Sequence, residues 1–225
     1  MGRWLREPGV IEDRTLVRAI VMVGIAAITM LIGGLLLAVL EGFSPASALR
    51  DPLATHELGR SVGLLSIVGV VLWVSGGVMY LFAATLVPAR SDRLFLCLAG
   101  AVCLFLALDD QFMLHEIPSD KLPAGDLIVA AYYGGAFIVI AWVMRTWVRD
   151  RIAIVLAIAL ALLGASLSFD VIRGAEGTAL GAVLEDTFKF LGIAYFTAYA
   201  ALKSYDLVAA ARPVSARVKD GVRSE

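Results

Sequence analysis

RLFLCLAGAVCLFLALDDQFMLHE, residues 93–116, is the stretch whose reading decides the fold. From Leu94 to Leu108 it holds no charged side chain; then Asp109, Asp110, His115 and Glu116 arrive within its last turns. About 20 apolar residues in a helix cross the roughly 30 Å hydrocarbon core of a bilayer. Working outward, five more stretches of this kind give six expected spans, at 16–40, 61–88, 93–116, 125–148, 152–172 and 178–202. Ionisable groups inside such a segment are costly, and they mark a bundle interior or a wet cavity where work is done.

The bulk composition agrees. The 225 residues are 60% hydrophobic and 17% charged, and the mean hydropathy is +0.86, outside the range of soluble globular domains. A net charge of −1 argues against a general nucleic-acid binder. Ala46-Ser47-Ala48 offers a signal-peptidase pattern, but the apolar core before it far exceeds the roughly 7–15 residues of a signal peptide, so the first span is expected to be retained. Cys97 and Cys103 are six apart in one span and cannot face each other, which predicts buried membrane thiols rather than a disulfide.

Basic residues set the orientation, because they stay on the cytoplasmic side of short loops. One side collects Arg3, Arg6, Arg14 and Arg18, then Arg90 and Arg93, then Arg145, Arg149 and Arg151, then Lys203 and the tail residues Arg212, Arg217, Lys219 and Arg223. The other side has Arg50, Arg60, Lys121 and Arg173. The expected fold is therefore an all-α, polytopic, six-helix transmembrane bundle with both termini cytoplasmic. Residues 1–15 form a polar lead, 16–206 the membrane domain and 207–225 a basic cytoplasmic tail. A multi-pass protein of the inner (plasma) membrane follows, surrounded by lipid bilayer, with its oligomeric state and any partner subunit left open.

This orientation brings three separate groups of polar residues toward the exterior or periplasm: Asp109 to Glu116, then Asp170, then Glu185, Asp186 and Lys189. Glu185 and Asp186 fall about 10–12 Å into the last span at 1.5 Å per residue, and Asp109 lies at a similar depth. On a continuous helix Asp109 and Glu116 share a face but are about 10 Å apart, so one ion would need ligands from several spans. Glu185 precedes Lys189 by four residues and Asp186 precedes it by three, spacings that favour an intrahelical ion pair. Several carboxylates in low dielectric need a cation, which Lys189 supplies in part and a divalent metal would complete. His, Asp and Glu suit zinc, iron or manganese.

The leading functional expectation is thus an outward-facing metal site. Asp109, His115, Glu116, Asp170 and Asp186 are its expected ligands, and Asp110, Glu185 and Lys189 its catalytic groups. It would hydrolyse a lipid or other amphiphile through metal-bound water. The alternative is a proton- or cation-coupled transporter or channel using the same residues as a relay, for which the inner halves of the spans offer only scattered Ser75, Thr85, Thr197 and Tyr199. A further alternative is a non-catalytic subunit or assembly factor. His56 reads as an ordinary loop residue, and Tyr132, Tyr133, Trp142 and Trp147 as interfacial or packing aromatics.

Two layouts are similar. Lys189, a turn after Glu185 in the last span, resembles the retinal-binding helix of microbial rhodopsins, but there are six expected spans rather than seven and no acidic residue in span 2. Intramembrane His and Asp facing outward resemble the alkaline-ceramidase and adiponectin-receptor superfamily of zinc hydrolases. Their paired histidines in the last span are missing, since the only histidines are His56 and His115.

Overall fold

The structure, a computed structural model, describes residues 11–49, 62–112, 150–173 and 179–211, without the side chains of 170–173 and 179. The described elements are all helices: α1 Asp13–Leu40, α2 Pro45–Leu49, α3 Leu64–Leu86, α4 Arg90–Phe112, α5 Ala153–Arg173 and α6 Ala179–Ala211. Five of the expected spans coincide with long helices, while the expected span 125–148 lies outside the described residues. Among the described residues three helices, α1, α3 and α4, are long and apolar enough to cross a membrane. α5, Ala153–Arg173, is apolar over Ala153–Phe169, the part whose side chains are described. α6 is the longest at 33 residues, but it carries Glu185, Asp186, Lys189, Lys203 and Asp206 along its length. The result is an all-α domain with several apolar helices of membrane length.

Exposure follows the inside-out pattern of lipid contact. On α1, Val17, Met22, Ile25, Ile32 and Leu40 all face outward, Leu40 with 74% of its surface open. A soluble monomer rarely shows so large a contiguous apolar surface. α1 closes with a Schellman turn: Gly42, at φ +83°, donates its N–H to Val39 O, and Phe43 N–H reaches Ala38 O. The short α2 follows, and its Ser47 carbonyl accepts the N–H of Gly63, whose φ of +67° starts α3. Ala46, Ser47 and Ala48 of the cleavage-like pattern all belong to α2.

Pairing fixes the helix directions. α3 and α4 form an antiparallel hairpin through residues 87–89, crossing where Gly77 and Gly100 meet. A Cβ on Gly100 would lie 2.8 Å from Leu81 and 3.1 Å from the Gly77 carbonyl. α5 and α6 are also antiparallel, with Leu163 seated on Gly192 and the rings of Phe169 and Phe188 stacked 5.6 Å apart. α3 and α6 run parallel: Gly69 faces Ile193, and Gly76 faces Thr197 and Ala200. Thr197 Oγ1 lies 3.1 Å from Leu72 O and 3.0 Å from Ile193 O, tying the two helices together inside the core. The main core lies between α3, α4, α5 and α6, around Trp73, Tyr80, Phe95, Phe196 and Tyr199. α1 lies against α6, where Tyr195 donates to Ile20 O at 3.2 Å.

Gly100→Val should destabilise the protein by about 1–3 kcal/mol through overpacking. Gly33→Ala, where a Cβ meets nothing within 4 Å, should hold or raise stability by about 0.5–1 kcal/mol. Thermal unfolding of both variants in detergent checks the contrast.

Candidate functional site

Four of the residues singled out in the sequence, Asp110, Glu185, Asp186 and Lys189, meet at one end of the bundle. Asp110 sits near the end of α4, and its carboxylate forms an ion pair with the Lys189 ammonium of α6. The pair joins helices from distant parts of the chain across the face of α3. The Asp110 side chain is 8% exposed and that of Lys189 42%, so the carboxylate is sealed and the lysine stem is open along one side. Gly69 of α3 borders the pair; a Cβ there would stand 3.9 Å from Asp110 Oδ2 and 3.4 Å from Ile193. A larger residue at Gly69 would occupy the space through which Asp110 reaches toward α6.

Glu185 and Asp186, one turn before Lys189, lie within electrostatic reach of the same ammonium. Asp109 is buried beside Asp110 on α4. Asp170 follows Phe169, whose ring packs on Phe188, so its place on α5 is at the level of Lys189; its side chain is not among those described. His115, Glu116, His56, Tyr132, Tyr133, Trp142 and Trp147 lie outside the described residues. Among the described residues no group of three or more His, Cys, Asp and Glu side chains could hold a metal ion. Cys97 and Cys103 are free thiols, the first exposed and the second buried.

A second charged cluster occupies the opposite end of α6. Lys203 is fully buried, with Nζ 2.5 Å from Asp150 Oδ2 and 3.6 Å from Asp206 Oδ2. Fourteen residues separate it from Lys189, about 21 Å along the axis. The sequence reading counted Lys203 among the cytoplasmic basic residues just past the expected span 178–202, but α6 continues to Ala211 and draws this lysine into the core. Carboxylates on both sides make its burial tolerable; an unpaired ammonium there would be prohibitively costly. The signal was present in the i, i+3 spacing of Lys203 and Asp206 and in Asp150, an acid set between Arg149 and Arg151. Nearby, Arg151 and Asp13 pair at 2.6 Å between the starts of α5 and α1, but both are more than 60% exposed, and such pairs contribute little in water.

Toward the Lys203 end lie further polar groups. Tyr199 is buried within electrostatic reach of Asp150 and Asp206, and Tyr80 of α3 stands in the same relation to Tyr199 and Cys103. Thr197 lies two residues, about 3 Å, nearer the Lys189 end. The sequence showed Thr197 and Tyr199 as scattered; the parallel packing of α3 on α6 brings them into line with Tyr80.

The family pattern of DUF8692 matches residues 16–202, most of the chain. The chain belongs to the DUF8692 family. That family is described as a domain of unknown function, and its match runs from α1 through α6 as far as the residue before Lys203. No curated protein and no solved structure matches the chain.

Asp110→Asn leaves Lys189 facing a neutral amide and should lower stability by about 1–3 kcal/mol. Asp110→Asn combined with Lys189→Met should recover part of that loss, with a coupling of about 0.5–3 kcal/mol in a double-mutant cycle on thermal unfolding.

Proposed function

We propose that this DUF8692 protein is a multi-pass membrane protein that carries protons across the bilayer, with Asp110, Lys189, Glu185 and Asp186 forming its outer exchange site. The supporting observation is that α6 carries a lysine–carboxylate cluster toward each end, about 21 Å apart. A proton or cation relay needs polar groups on both sides of the membrane and between them, and intramembrane acids and lysines are its usual carriers. Thr197 and Tyr199 supply the groups between, and Tyr80 stands at the Lys203 end. The bias of basic residues puts the Lys203 end in the cytoplasm and the Lys189 end outside, which fits a multi-pass protein of the inner membrane.

Chemically, a proton arriving at Asp110 weakens its hold on Lys189, and the ammonium is then drawn toward Glu185 and Asp186. The proton and the lysine thus compete for one carboxylate. That competition couples proton binding to a side-chain movement at the α4–α6 contact.

A second reading is favoured by the gathering of Asp110, Glu185 and Asp186 around one ammonium. With His115, Glu116, Asp109 and Asp170 added, the same end would hold zinc, iron or manganese and hydrolyse a lipid or amphiphile. In that arrangement Asp186 would help hold the metal, and Asp110, Glu185 and Lys189 would handle protons.

Purified protein in vesicles with an interior pH-sensitive dye and an imposed pH gradient separates the two. Wild-type protein should dissipate the gradient well above empty vesicles, and Asp110→Asn and Lys189→Met should cut that rate at least tenfold. Wild-type flux no greater than that of empty vesicles overturns the transport reading. Stoichiometric metal by elemental analysis, lost in Asp186→Asn, would establish the hydrolytic one.

A further inference from the structure

Tyr80 and Ser204 are hydroxyl groups with nowhere to go. Both residues are buried, Tyr80 completely, and among the described residues neither hydroxyl has a hydrogen-bond partner. They lie at the same level of the bundle. α3 and α6 run parallel with Gly76 against Ala200, so one turn further on Tyr80 of α3 comes level with Ser204 of α6. Lys203 and Asp206 flank Ser204 on the same helix, and Asp150, at the entry to α5, reaches Lys203 from the other side. Tyr199 lies one turn before Lys203, in electrostatic reach of both acids, and Cys103 of α4 faces Tyr80. An orphaned buried hydroxyl costs about 1–3 kcal/mol, and native bundles meet such groups with ordered water that makes two to four hydrogen bonds.

We infer that bound water joins Tyr80 and Ser204 to the Asp150–Lys203–Asp206 cluster, and that this hydrated cluster is a second proton-exchange site at the Lys203 end. The water rests on the orphaned hydroxyls alone; the exchange role rests on the transport reading above. When all three are ionised, two carboxylates and one ammonium carry one net negative charge. Taking up one proton makes the set neutral, so a carboxylate that receives a proton from the water loads the site without leaving net charge in the core. Handing that proton back to water on the same side restores the starting state. Lys203 keeps at least one anionic partner throughout, because Asp150 and Asp206 approach it separately.

Radiolytic footprinting tests the water without reference to transport. Hydroxyl radicals formed from bound water by a millisecond X-ray pulse oxidise side chains beside it, even those closed to bulk solvent. Tyr80 and Tyr199 should be labelled, and the buried Trp73, one turn and more away, should not. Tyr80→Phe and Ser204→Ala should each lower Tm by about 2–4 °C, as for loss of one hydrogen-bonded group in a protein of this size. Unlabelled tyrosines, with Tm held or raised in both variants, overturn the hydrated site. In the vesicle assay Asp206→Asn should slow proton release at least tenfold while leaving the Asp110–Lys189 end intact. Wild-type flux with an unaffected Asp206→Asn variant removes the exchange role and leaves the transport reading standing. Absent wild-type flux removes the transport reading and leaves the footprinting result to decide the water.

Discussion

Charge inside an apolar bundle is held only where an opposite charge meets it, and α6 meets that constraint twice. At one end Lys189 takes Asp110 from α4; at the other Lys203 takes Asp150 from the approach to α5 and Asp206 from its own helix. Each pair fixes the axial position of α6 against a neighbour. Apolar side chains in a lipid environment do not fix register in this way, because lipid tails attract them about as well as other helices do. α6 is therefore both the carrier of the polar chemistry and the reference against which other helices are placed.

The small residues do the complementary work. Gly77 against Gly100 and Gly192 against Leu163 let backbones approach closely enough for the polar side chains to meet. Gly69 is the case that links packing to the site, since its bare backbone leaves room for Asp110 beside Ile193. Thr197 and Tyr195 then tie α6 to the carbonyls of α3 and α1 with hydroxyl bonds that need no charge. Closeness comes first in this arrangement and polar contact follows from it.

Much of this was legible in the residue order. The apolar runs located the five long helices that are described, because hydrophobic length in a bilayer is a one-dimensional property. Asp110, Lys189, Glu185 and Asp186 stood out because ionisable groups are rare in such runs, and their meeting follows from similar depth in antiparallel helices. What the order could not give was azimuth. Asp110 and not Asp109 holds Lys189, a choice set by the rotation of α4 about its axis. Lys203 was misplaced for a related reason. Hydropathy alone ends the last span near 202, whereas α6 runs to Ala211, and Asp150 and Asp206 offset the burial of Lys203. The relation of Tyr80 to Ser204 depends on α3 and α6 being parallel neighbours, which sequence adjacency does not reveal.

Among the described residues α1 packs chiefly on α2 and on α6. Its main long partner is therefore made well after it, with 138 residues between Leu40 and Ala179. At roughly 5–20 residues per second, α1 waits for something on the order of 10–30 s in the bilayer with its future contact face against lipid or an insertion chaperone. Docking of the first helix is thus a late event of biogenesis, and a nascent chain stalled before α6 would display a helix that other membrane proteins could seize.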